Sequence, residues 1–262
     1  LKAVFTLESG VDVTKGGLLQ GGRAFGRQSF VGLDGSWGRF TMGRQYTSMF
    51  SALRPFTPLA YATQYEPIIL LTGLNFRSDN TIKWEQNWGP VRALAHWTFK
   101  SGVSGINSDK PGDAFRRDSG FGGALGYNSP RWSATLAYDQ THPSMTGFGD
   151  TGYGRARKWM LAANWVQGPV KLIGGYRWQN ARYSDGSAFL RDDLMWLGVN
   201  YQANAQWHFA LVYYRDNIKQ LQRKLGTGVN DPANPWQVSF VTSHALSKRT
   251  DLYLTAAYAK HA

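Results

Sequence analysis

Cysteine is absent from all 262 residues. That excludes a disulfide scaffold, a thiolate metal site and a cysteine nucleophile together. Long apolar runs are missing as well. The longest greasy stretch, Ile68-Ile69-Leu70-Leu71, falls far short of the roughly 18 residues a membrane-crossing helix needs. Charge is sparse at 18%, and acids are the scarcer sign: 17 Asp+Glu stand against 29 Lys+Arg, a formal net charge of +12. There is no methionine at position 1 and no signal-peptide pattern after Leu1, as expected of a mature form or a piece of something longer. What is abundant is aromatic residues, at 15% with 11 Trp, and glycine, with 30 residues. That many aromatics argue against disorder, and the glycines lack the every-third period of collagen.

The dominant pattern has period two. In 132–139, Trp132, Ala134, Leu136 and Tyr138 share one face, while Ser133, Thr135, Ala137 and Asp139 share the other. The same alternation sets Trp159, Leu161, Ala163 and Trp165 against Lys158, Met160, Ala162 and Asn164. Segments 91–100 and 251–258 repeat it. The chain reads as about thirteen strands: 2–8, 25–33, 38–44, 80–87, 91–100, 120–128, 132–139, 157–166, 170–178, 193–201, 207–216, 236–244 and 251–260. The faces of 25–33 and 193–201 are ambiguous.

Connections alternate between short turns, such as Gly89-Pro90, Ser129-Pro130 and Gly168-Pro169, and long segments, roughly 10–24, 45–79, 101–119, 140–156, 179–192 and 217–235. All short turns therefore lie at one end of the sheet. No linker divides the chain, so residues 1–262 form one domain. A meander this long, with one apolar face and no helix to cover it, cannot remain an open soluble sheet. Closing it into a ring puts an apolar belt outside and a polar wall inside. Ten residues at ~3.3 Å each, tilted ~40°, span roughly 25 Å, the height of an outer-membrane hydrocarbon band. Trp and Tyr lie near strand ends, where aromatic girdles belong. The expected fold is an all-β, transmembrane, antiparallel up-and-down β-barrel, with short turns on the periplasmic side and long loops outside. Bacterial barrels close with an even strand number, so thirteen suggests further strands at the ends.

Three stretches carry a family resemblance: Leu1-Lys-Ala-Val-Phe-Thr-Leu-Glu-Ser-Gly10, Gly21 to Leu33, and Trp37-Gly-Arg-Phe-Thr-Met-Gly-Arg-Gln-Tyr46. They resemble the Gram-negative general porins, β-proteobacterial type, and Gly43-Arg44-Gln45-Tyr46 is the most specific piece. The resemblance implies a sixteen-stranded outer-membrane barrel, of which this chain would hold the third to the fifteenth strand. It implies a homotrimer, with contacts near the termini and a clasping loop at roughly 10–24. It also implies that 45–79 is the pore-constricting loop. Arg54 and Glu66 are the loop's only charges between Tyr46 and Phe76, and Arg27 and Arg77 match the family's basic-cluster positions.

The expected work is passive diffusion of small hydrophilic solutes and ions. By alternation the inward bases are Lys2, Arg27, Arg39, Lys83, Arg92, Lys100, Lys158, Lys171 and Arg177. The inward acids are Glu8, Glu85, Asp139, Asp216 and Asp251. A net positive lumen lowers the barrier for anions. Long-loop bases (Lys110, Arg116, Arg117, Arg182, Arg191, Arg223 and Lys224) could meet lipopolysaccharide phosphates.

Other functions fit less well. A substrate-specific channel for small carboxylates, phosphate or sugars is the nearest rival, but the aromatics expected inward are few (Tyr253 and Tyr214). A barrel enzyme needs a Ser–His pair with an orienting group, and among the five histidines only His142, near Ser144, lies in an outer loop. No His pair has ligand spacing, so no metal or cofactor is expected. Gly120 to Gly126 lacks nucleotide-loop spacing. The basic residues are scattered over loops and wall, not gathered in the stripe that nucleic acid requires.

Overall fold

A computed structural model describes residues 1–61, 65–67, 71–72, 76–99, 116–229 and 232–260. Its thirteen strands are β1 Lys2–Glu8, β2 Gln28–Gly35, β3 Gly38–Tyr46, β4 Arg77–Trp88, β5 Val91–Thr98, β6 Gly120–Asn128, β7 Trp132–Thr141, β8 Arg155–Gln167, β9 Val170–Arg182, β10 Ala188–Gln202, β11 Trp207–Leu221, β12 Trp236–Ser247 and β13 Thr250–Lys260. They form one sheet in strict sequence order, every neighbouring pair antiparallel. Among the described residues β1 pairs only with β2 and β13 only with β12.

The alternation is physical. On β8 Leu161 is 57% exposed and its neighbour Met160 is 1% exposed. Rows across the sheet keep the same facing: Leu136 pairs with Leu161, Leu161 with Tyr176, and Tyr176 with Met195. These side chains form an outward apolar belt between two aromatic bands. Trp97, Phe121, Tyr138 and Trp159 lie toward the long-connection end, with Trp97 on Phe121 at 5.6 Å and Tyr138 on Trp159 at 4.6 Å. Tyr127, Trp132 and Trp165 lie toward the short-turn end, with Tyr127 stacked on Trp132 at 4.6 Å. Such pairs suit an interface where one side of the ring is apolar and the other wet.

Most strands run a few residues longer than the sequence reading, only 2–8 and 120–128 matching at both ends, and three of the differences bear on the site. The second strand starts at Gln28, not 25, so Arg27 lies outside it and strand alternation does not set its direction. The tenth and eleventh strands are longer than 193–201 and 207–216 and run beyond the apolar belt. The earlier start of β10 adds Asp192, which the shorter strand omitted, to the inward set. Lys100 lies outside the described residues.

The inner face is not an open polar wall. After β3, Thr47 caps helix α1 (Ser48–Leu53) by accepting from the Phe50 amide at 3.3 Å. A 3-10 turn, Arg54–Phe56, follows, with Pro55 near its start. Helix α1 lies against β5, β6 and β7. There the inward positions of β6 are Gly120, Gly122 and Ala124, small enough to admit it. Met49, Leu53, Phe56, Leu59 and Leu71 of this segment pack with inward Leu94, Met160, Ile173, Leu194, Val212 and Tyr214 in a single buried cluster. Gly198 on β10 is required by the same packing, because a Cβ there would lie 2.6 Å from Pro58 Cγ.

Candidate functional site

The segment between β3 and β4 is held to the inner wall by side chains from at least seven strands. Lys83 Nζ on β4 donates to Ser51 Oγ at 2.7 Å and to the Tyr46 carbonyl at 3.2 Å. His96 Nδ1 on β5 accepts from the Ser48 amide at 3.2 Å. Lys158 Nζ on β8 donates to the Thr72 carbonyl at 2.7 Å, and Lys171 Nζ on β9 to the Pro55 carbonyl at 3.2 Å. Trp196 and Asn200 on β10 donate to the Phe56 and Pro58 carbonyls, each at 3.0 Å. On β12, Ser239 Oγ donates to the Tyr65 carbonyl at 3.0 Å. Segment carbonyls that would otherwise be orphaned on an apolar floor are thereby satisfied.

Glu66 is the centre of this attachment. It is 4% exposed. Its carboxylate accepts from Tyr214 Oη on β11 at 2.8 Å and from the backbone amides of Leu59 at 3.2 Å and Tyr61 at 2.5 Å. Burial raises its pKa above the usual 4.5, outweighing the three donors, which act the other way. Arg54, by contrast, is exposed.

Arg27 and Arg77 converge on one phenol. Tyr46 Oη accepts from Arg27 Nη2 at 3.2 Å and from Arg77 Nη2 at 2.9 Å. Arg27 also forms an ion pair with Glu8. The Arg77 guanidinium lies 4.8 Å from the ring centroids of both Tyr46 and Phe76, so stacking as well as hydrogen bonding fixes it. Tyr46 stacks on Phe50 and Phe50 on Tyr61, each at 4.3 Å. This ladder ties the two arginines rigidly to the segment.

A profile described as Gram-negative porin matches residues 1–261. The chain belongs to the Gram-negative porin family. It is an outer-membrane β-barrel porin, and family and fold are those of a channel. An outer membrane porin protein of Bordetella pertussis is 28% identical over 293 residues, covering 100% of this chain and 73% of that one. The solved anion-selective porin from Comamonas acidovorans superposes with a TM-score of 0.79 at 20% identity, covering 98% of this chain and 74% of that one. OmpT of Vibrio cholerae in a trimer form superposes with a TM-score of 0.61 at 10% identity, covering 89% and 70%.

In this porin the remaining wall bases divide by partner. Arg39 pairs with Asp34 and Arg92 with Glu85, each at 2.7 Å. Arg177 is 1% exposed; it forms an ion pair with Asp192 and lies 4.0 Å from Asp216. Lys83, Lys158 and Lys171 face inward, as alternation requires, but each spends its ammonium on the covering segment. Glu66 does not stand opposite Arg27 and Arg77; it is turned into the wall at Tyr214. Sequence reasoning missed Tyr46, Tyr214, Trp196 and Asp192 as members of this arrangement. The signal for a covered inner wall was nonetheless present: inward Met160, Ile173, Leu194 and Val212 are wrong for a face that meets only water.

Proposed function

We propose that this porin is a passive diffusion channel for small hydrophilic solutes that prefers anions. The segment 45–79 narrows it, and no bond is made or broken in it. One observation carries the reading. Arg27 and Arg77 are brought together on Tyr46, where among the described residues Glu8 is the carboxylate paired with them, through Arg27, while the segment's own acid, Glu66, is buried and its base, Arg54, is exposed. With the acid withdrawn, the field beside the narrowing stays positive, which favours anions over cations. Arg39, Arg92 and Arg177 pair with wall acids and add little net field. The anion-selective Comamonas neighbour supports the same sign. The porin assembles as a homotrimer, a state the Vibrio neighbour shares, with its outward belt in outer-membrane lipid and lipopolysaccharide around it.

In planar bilayers under a KCl gradient, the zero-current potential is expected on the chloride side. Arg27→Gln with Arg77→Gln is expected to move it toward the potassium side by a few millivolts to tens of millivolts, at little cost in conductance. A cation-favouring potential in the unaltered porin would overturn the assignment.

A further inference from the structure

The registers place a group of arginines on the outward face, one step beyond the upper aromatic band. Arg157 on β8 pairs with Asn180 on β9, and Asn180 pairs in turn with Arg191 on β10. One further step toward the long connections, Arg155 pairs directly with Arg182. The facing is outward, because Arg155 and Arg157 continue the row of Trp159 and Leu161, and Arg182 continues that of Tyr176 and Trp178. Arg155, Arg182 and Arg191 are exposed and Arg157 is half-buried. Like charges directly opposite on a sheet repel, so a bare Arg155–Arg182 pair is unfavourable.

Among the described residues, none of the four arginines forms an ion pair with a carboxylate. Among the described residues, Arg182 donates to Asn180 Oδ1 and the Gly186 carbonyl, and the buried Arg157 Nε has no acceptor. The nearby acids are engaged: Asp193, one row below, accepts from Tyr176 Oη at 2.9 Å, and Asp185 holds its own turn through Ser187. The excess positive field is felt at His142, whose pKa is held down by burial and by Arg116, Arg155 and Arg157 around it.

We propose that Arg155, Arg157, Arg182 and Arg191 form a docking site for the phosphate groups of the outer-leaflet glycolipid, lipid A. Two features select this occupant. The site faces outward at the long-loop end, where the outer leaflet lies. Arg157 and Arg191 also sit one pleat, roughly 7 Å along the strand, past the row of Trp159 and Trp178, and Arg155 and Arg182 sit one pleat further, the span from acyl chains to headgroups. Arginine forks suit phosphate, and a phosphate between Arg155 and Arg182 turns repulsion into two charge-assisted bonds. The inference rests on the outward face of the barrel meeting lipid.

The test is retention of bisphosphorylated lipid A by the detergent-solubilised porin, read by native mass spectrometry. Expected is specific retention that dephosphorylated lipid A, phosphatidylglycerol and millimolar inorganic phosphate do not match or displace. Arg155→Gln with Arg182→Gln, and Arg157→Gln with Arg191→Gln, should each weaken retention by more than about tenfold. Lys248→Gln with Arg249→Gln, at the opposite end, should leave it unchanged. Circular dichroism and the heat-dependent gel shift of a closed barrel report insertion separately. Normal insertion with equal retention by all variants would overturn the site alone. Displacement by inorganic phosphate would overturn the lipid as its occupant, and failure of the unaltered porin to insert would overturn both site and orientation.

Discussion

Arg177→Met is expected to destabilise the porin by about 3–5 kcal/mol, the usual cost of stranding a buried charge. Arg177 is buried on the inner wall at 1% exposure, with Asp192 as its ion-pair partner, Gln179 Oε1 accepting at 3.2 Å and Asp216 at 4.0 Å. Removing the guanidinium leaves two carboxylates close together with no cation between them. Part of that cost is their mutual repulsion, so Arg177→Met combined with Asp192→Asn is expected to recover more than half of the loss. Denaturant unfolding from micelles measures both. Equal stability of Arg177→Met and the unaltered porin would mean that water, not Arg177, solvates those acids.

Glu66→Ala is expected to release the segment between β3 and β4. Three donors, the buried Tyr214 Oη and Leu59 amide and the half-buried Tyr61 amide, lose their acceptor. Each unsatisfied donor costs about 1–3 kcal/mol, which is large beside the attachment of one segment. Single-channel records should show higher, noisier conductance, and limited proteolysis should cut between Arg54 and Arg77.

The same carboxyl gives a pH dependence of definite sign. Its pKa in the docked state lies above the ordinary 4.5 because of burial. A group whose folded value is raised binds its proton more tightly when docked. Docking is therefore strongest below the ordinary value, and it weakens as pH rises from there through the raised one. Protection from protease at pH 4 should exceed that at pH 7, and Glu66→Gln should flatten the difference. Protection that rises with pH would contradict the burial argument.

The sheet was legible in the sequence because lipid on one side and a wall on the other enforce period two over every strand. Trp159, Leu161 and Ala163 cannot share a face with Lys158 and Met160. Strand ends were less legible. The run 25–33 contains no clear alternation, so Arg27 was assigned a face when it belongs to the connection before β2. Beginning the tenth strand at Asp193 omitted Asp192 and left Arg177 looking like a free lumen charge. The attachments were not legible at all. Alternation says which way Lys83, Lys158 and Lys171 point; it does not say what lies over them. That depends on a segment folding back across strands far away in sequence, from Lys83 to Ser239. The inward Leu and Met residues recorded that covering, and the glycines of β6 recorded the space for it.

The most direct test of the whole account is the alternation itself. With no native cysteine, single cysteines can be placed along β8 at 159 to 164 and labelled with a fluorophore in lipid-reconstituted porin. Nitroxide-bearing lipid is expected to quench positions 159, 161 and 163 strongly and 160, 162 and 164 little. Uniform quenching along the strand, or the opposite alternation, would contradict an outward face bathed in lipid and an inward face covered by the chain.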